Sequence, residues 1–116
     1  MEEQKYNLYL NGILDKLKEL NVYKIILFGS LASNAANEDS DIDLLIVLND
    51  THLPGTYEER MNIKLNVRKK LREINKKVPI DLLVYTLPQY DIIRNNMNSF
   101  FKEIHTHGKV LYERAS

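Results

Sequence analysis

Two short apolar runs with a polar loop between them constrain the fold of this chain more than any other feature. The first run, Lys24 to Phe28, ends in Gly29-Ser30, and the second, Leu44 to Leu48, follows Asp41-Ile42-Asp43. Runs of four to eight residues that are rich in Ile, Leu, Val and Phe and bounded by turn residues are typical of buried strands. The sequence therefore predicts two core strands joined by a loop of small and polar residues.

The two aspartates at the start of the second strand suggest a metal site. Side chains alternate between the faces of a strand, so Asp41 and Asp43 project from the same face. Adjacent carboxylates repel each other, and burial raises their pKa values further unless a cation lies between them. We therefore expect a divalent metal ion at Asp41 and Asp43.

Gly29 and Ser30 lie at the exit of the first strand, so they meet the aspartates only if the two strands run antiparallel. Gly29 lacks a Cβ and lets the backbone approach a ligand closely. Ser30 offers a hydroxyl and an N–H group, and a helical turn over Leu31 to Asn34 would direct further N–H groups at an anion. An anion site beside a metal site indicates binding of a nucleoside triphosphate.

A third strand is predicted over Pro79 to Tyr85, with Asp81 near its start. The preceding helix, predicted from Thr56 to about Lys77, gives a crossover of the length that joins parallel strands. Parallel neighbours with acids at matching ends would bring Asp81 beside Asp41 and Asp43. The alternative reading of Asp81 is a turn residue after Pro79.

The remaining elements complete an α/β (α+β) fold, a small mixed β-sheet with helices packed on it. Apolar residues at steps of three and four predict an N-terminal amphipathic helix over residues 3–20. Another helix opens at Leu87-Pro88, breaks near Asn95-Asn96 and continues to Gly108, which caps it. A short strand or extended tail follows. We expect one domain over residues 1–116, with its motif-bearing core over residues 23–112.

Composition limits the possible partners. The chain has 116 residues, 44% of them hydrophobic, with 16 basic and 16 acidic residues and no cysteine. A balanced charge argues against a dedicated nucleic-acid-binding module, and the absence of cysteine excludes disulfides and thiolate metal sites. We expect a cytoplasmic protein without a membrane span or signal peptide.

Two further groups of residues give weaker indications of function. The helix before the third strand carries a basic face over residues 64–77, either a solvated surface or a docking site for a phosphate-bearing or acidic partner. His52 lies in a polar loop and is expected to be solvated. His105 and His107 are spaced by two, which does not place them on one helical face, so no metal site is expected there.

The segment Gly29-Ser30-x10-Asp41-Ile42-Asp43 resembles the signature of the minimal nucleotidyltransferase (MNT) domains of the DNA polymerase β-like superfamily. The resemblance covers residues 23–112 and implies a polymerase β palm-like fold. Asp81 corresponds to the third carboxylate of the superfamily. Relatives usually carry Arg and Gly shortly after the serine, where this chain has Ser33 and Asn34.

By this resemblance Asp41, Asp43 and Asp81 bind two Mg²⁺ ions, while Gly29 and Ser30 hold the triphosphate. The implied reaction transfers AMP from ATP to a hydroxyl of a partner protein. The implied partner is a HEPN-type ribonuclease toxin, of which this chain would be the antitoxin. The alternative is a catalytically idle antitoxin that neutralises its partner by occlusion.

Overall fold

The computed structural model describes residues 2–29, 32, 41–96 and 98–114. Five helices and four strands follow one another within these ranges. They are α1 (Glu2–Leu17), β1 (Val22–Phe28), β2 (Ile42–Leu48), α2 (Tyr57–Lys70), α3 (Arg72–Asn75), β3 (Ile80–Thr86), α4 (Leu87–Asn95), α5 (Ser99–His107) and β4 (Lys109–Glu113). No helix in these ranges is both long and apolar enough to cross a membrane.

The strands form one mixed sheet in the order β3-β2-β1-β4. The central strand β1 runs antiparallel to β2 and to β4, whereas β2 and β3 are parallel. The predicted antiparallel and parallel pairings are both confirmed. The expected mixed sheet with helices is therefore the observed fold, and the predicted C-terminal tail is the edge strand β4.

Helix α1 packs one apolar stripe against the first face of the sheet. Tyr6, Ile13 and Leu17 are buried there, as the step of three and four predicts. The helix ends three residues earlier than predicted. The N–H groups of Glu19 and Leu20 bond the carbonyl groups three residues before them, so a tighter turn completes the segment.

The crossover between β2 and β3 consists of two helices, which corrects the prediction of one continuous helix. Thr56 caps α2, because its hydroxyl accepts the N–H of Glu59 at 3.1 Å. The helix ends at Leu71, whose backbone leaves helical geometry at φ −101° and ψ 7°. The Leu71 side chain is fully buried with Val67, so the apolar spacing of a helix continues across the break. The break therefore cannot be predicted from the sequence pattern.

Helices α4 and α5 cover the opposite face of the sheet, where Tyr90 and Ile104 pack on Ile26, Leu45 and Val47. The predicted break lies between them, and Asn98 caps α5 by accepting the N–H of Phe101. Two positions of the apolar pattern, Ile92 and Phe100, are nevertheless 51% exposed each. Gly108 caps α5 in an extended conformation and not in the left-handed one that glycine caps often adopt.

Candidate active site

Three neighbouring strand termini meet at one end of the sheet. Phe28, the last residue of β1, lies opposite Asp43 of β2, and Asp43 in turn lies opposite Asp81 of β3. Asp41 immediately precedes β2, and the Ile42 N–H donates to the Pro79 carbonyl at 2.9 Å. This register brings Asp41, Asp43 and Asp81 to the same edge, on the face that α4 and α5 cover.

Of the three aspartates, Asp43 has the most strongly shifted pKa. Its pKa rises from the ordinary 3.8 to about 6, first because it is partly buried and then because of the negative charge of Asp81. A hydrogen bond with the Asp81 carboxyl and the charge of Asp41 raise the pKa further. The three aspartates therefore form a mutually repelling cluster that a cation would stabilise.

Gly29 lies directly against this cluster. Its φ of 76° lies in the left-handed region, and a Cβ at this position would overlap the Asp43 carboxylate. Glycine is thus required for two reasons, its backbone conformation and the space that Asp43 occupies. The backbone of β1 can consequently approach a ligand that is bound at Asp43.

A metal ion fits the chemistry of these side chains. Among the described residues, no group of three or more His, Cys, Asp or Glu is arranged to hold a metal ion. Mg²⁺, however, is commonly bound by only one or two carboxylates, with waters and substrate phosphates as its other ligands. The hydrogen-bonded pair of Asp43 and Asp81, with Asp41 close by, supplies hard oxygen donors of that kind.

The predicted phosphate-binding residues after Gly29 fall mainly outside the described residues. These are Ser30, Leu31, Ser33 and Asn34. Of this segment the structure describes Ala32, which is buried and donates its N–H to the Gly29 carbonyl at 3.2 Å.

A groove of about 350 Å³ beside Asp43 was not predicted from the sequence. It lies between the end of β1 and helix α5. Its lining includes Phe28, Gly29, Asp43, Phe100, Glu103 and His107. No local sequence pattern indicates this groove, because its lining joins the end of β1 to α5 through tertiary packing.

The other polar residues considered in the sequence lie apart from the carboxylates. His52 Nε2 lies 2.9 Å from Glu59 Oε2, within hydrogen-bonding distance, and both side chains are exposed. His105 links two helices, because its ring bonds the Tyr90 hydroxyl at 2.7 Å and the Phe101 carbonyl at 2.8 Å.

The basic face over residues 64–77 lies on α2, α3 and the turn that follows. Exposed ion pairs join its Lys70 to Glu19 and its Lys76 to Glu73. Its role as a docking site stays a prediction.

Comparison with known proteins identifies the class to which this fold and site belong. Residues 11–116 match the family described as Polymerase beta, Nucleotidyltransferase. The chain belongs to this family, and it is a nucleotidyltransferase.

One curated relative and two solved structures show the extent of the similarity. The chain is 29% identical over 117 residues to "Putative protein adenylyltransferase MJ1305" of Methanocaldococcus jannaschii. This alignment covers 98% of this chain and 76% of the relative. A crystal structure of a toxin–antitoxin with AMP-PNP aligns with a TM-score of 0.53 and 20% identity, over 90% of this chain and 73% of the other. A crystal structure of a "putative nucleotidyltransferase" from Sulfolobus solfataricus aligns with a TM-score of 0.56 and 18% identity, over 90% and 76%. These two structures share the fold.

Proposed function

We propose that this nucleotidyltransferase transfers AMP from ATP to a hydroxyl of a partner protein, with Mg²⁺ bound at Asp41, Asp43 and Asp81. The observation that carries the proposal is the strand register that sets Asp43 opposite Asp81. Partial burial, and then the negative charge of Asp81, raise the pKa of Asp43 to about 6. Carboxylates that repel one another at a ligand-accessible edge lower the stability of the empty protein. Such a cluster is expected where a cation binds.

The residues at this end of the sheet would have different roles in the reaction. When bound, Mg²⁺ would neutralise charge on the phosphates and lower the pKa of the attacking hydroxyl. Asp41, Asp43 and Asp81 would hold the metal ions, with Asp43 lying between the other two in the strand register. The exposed backbone of Gly29, together with Ser30, holds the triphosphate. Fixed positions and fixed charges are the main requirements of phosphoryl transfer.

The partner is proposed from the relatives. The curated relative is named for adenylyl transfer to protein, and a structural neighbour is a toxin–antitoxin with AMP-PNP. We therefore assign this chain the role of an antitoxin whose acceptor is a toxin protein, acting in the cytoplasm. The resemblance to the MNT domains makes a HEPN-type ribonuclease the toxin that we expect.

A second function is favoured by one sequence observation. Ser33 and Asn34 stand where relatives usually carry Arg and Gly, and a guanidinium is a strong ligand for phosphate. A chain without it could neutralise its partner by occlusion alone.

The direct test uses purified protein, ATP labelled in the α-phosphate, Mg²⁺ and the protein encoded by the adjacent gene. The proposal predicts label on the partner and release of pyrophosphate, both abolished by a chelator. Binding of the partner without any label on it would favour occlusion.

A further inference from the structure

The groove beside Asp43 is held in place by two glycines. Gly29 lines it at the end of β1, and Gly108 ends α5. A Cβ on Gly108 would overlap the Ile104 carbonyl and crowd Ile26. Any larger residue at position 108 would therefore push α5 away from β1, so the distance between the groove wall and the carboxylates is fixed.

One wall of the groove is aromatic. The rings of Phe28 and Phe100 meet edge to face, with centroids 6.0 Å apart, and Phe101 packs on Phe100 at 5.4 Å. Phe100 is half-exposed, whereas the neighbouring rings of Phe28 and Phe101 are partly buried. An exposed ring beside a carboxylate cluster provides an apolar surface for a group that enters from solvent.

The charge of the groove decides what can enter it. Asp43 and Glu103 are carboxylates, and within the described part of the chain neither lysine nor arginine lines the groove. Their negative charge disfavours a polyphosphate along the α5 wall. We therefore place the phosphates at the Gly29 end of the groove, which leaves the α5 wall to the acceptor. The acceptor must approach the α-phosphate opposite the leaving pyrophosphate, because the transfer is in line. The groove on the α5 side of Asp43 suits that approach.

The groove also contains a proton acceptor. His107 Nε2 lies 3.9 Å from Glu103 Oε1, on the same face of α5, and both side chains are mostly exposed. Asp43 and Glu103 are the other titratable groups that line the groove. Asp43 is not available as a base if it binds metal.

From this arrangement we infer that the groove receives the acceptor hydroxyl and that His107, positioned by Glu103, takes its proton. The inference rests on the proposed nucleotidyl transfer. The hydroxyl oxygen bonds to the α-phosphorus, and the bond from that phosphorus to the pyrophosphate oxygen breaks. The electron pair leaves with pyrophosphate, and the hydroxyl proton moves to the imidazole of His107. His107 is thus a catalytic residue and Glu103 a positioning residue.

The test measures AMP transfer from ATP to the protein encoded by the adjacent gene, from about pH 5 to about pH 9, a range that spans the ordinary titration of imidazole. His107→Gln should slow transfer by about 10²-fold or more and remove the rise in rate with pH. Added imidazole should partly restore AMP transfer by His107→Ala. Glu103→Gln should slow transfer less than His107→Gln does and should keep the rise in rate with pH. Binding of AMP-PNP should be unchanged in every variant.

His52→Gln provides a matched control, since His52 is also paired with a glutamate but lies in the loop before α2. Its transfer rate and pH profile should equal those of the wild type. A wild-type pH profile in His107→Gln would overturn the inference and leave the proposed function intact. Phe100→Ala gives a second test. If this variant binds AMP-PNP more weakly but transfers AMP normally at saturating nucleotide, the groove binds the nucleotide and the inference is overturned. Absence of transfer by the wild type would instead refute the proposed function.

Discussion

Asp43 and Asp81 lie opposite each other on the parallel strands β2 and β3, with their carboxyl groups close enough to share a hydrogen bond. A carboxylate pair of this kind binds a proton or a cation more readily than either member alone. The parallel register therefore creates a carboxylate pair that stabilises the folded protein only when it binds a proton or a cation.

Metal binding should stabilise the folded protein. An ion that binds the folded state alone raises the melting temperature by mass action, and at 100 times its Kd it contributes about 2.7 kcal/mol. Thermal unfolding with increasing Mg²⁺ should show this rise in the wild type and lack it in Asp41→Asn/Asp43→Asn. The control is Asp15→Asn/Asp91→Asn, which removes the same charge from exposed helix positions. A Mg²⁺ response that survives in the first double variant would contradict the assignment.

Stability without metal should depend on pH through Asp43. Its pKa in the folded protein, about 6, lies above its ordinary 3.8, so the folded state binds more protons between these values. The free energy of unfolding that this group contributes therefore falls as pH rises from about 4 to about 6. Solvent screening limits the effect to about 1 kcal/mol, since the carboxylate is partly exposed.

Urea unfolding in the presence of a chelator measures this dependence. The difference in stability between Asp43→Asn and the wild type should grow in favour of the variant across that pH range. A difference that stays constant with pH would show that Asp43 titrates normally.

Gly29→Ala should destabilise the protein by about 1–3 kcal/mol, the usual cost of a non-glycine residue in a strained backbone region. The overlap of the new methyl group with the Asp43 carboxylate adds to this cost. Gly55→Ala is the control, because a Cβ there meets open space. Equal unfolding free energies for the two variants would contradict the close approach of β1 to Asp43.

The hydrogen bond between Tyr90 and His105 should stabilise the packing of α4 against α5. Tyr90→Phe removes a hydroxyl that lies 2.7 Å from His105 Nε2, which should cost about 1 kcal/mol in urea unfolding. Tyr57→Phe changes an exposed tyrosine in the same way and should cost little. If the two substitutions have the same effect, the bond does not contribute to stability.

The placement of the aspartates was predictable because it depends on local pattern and connection length. Apolar runs bounded by turn residues located the strands, and a helical crossover between β2 and β3 fixed the parallel pairing that brings Asp81 to Asp43. The break at Leu71 was not predictable, because Leu71 keeps the apolar spacing of a continuous helix while its backbone turns.

The groove was missed for a different reason. Its lining joins Phe28 and Asp43 to Glu103 and His107, and no local pattern shows which face of α5 meets the end of β1. That orientation depends on tertiary packing, through Ile104 in the second core and through the close contact at Gly108.

The most direct test of the central claim is one variant in two assays. Asp43→Asn adds no bulk and keeps β2 intact, so binding of the partner should survive. Nucleotide transfer to the protein of the adjacent gene should fall by about 10²–10³-fold, the usual effect of deleting one preorganised electrostatic contact. Suppression of that protein's activity in cells is measured beside it. Our account predicts that transfer and suppression are lost together, whereas suppression that persists without transfer would contradict it and show that the chain acts by occlusion.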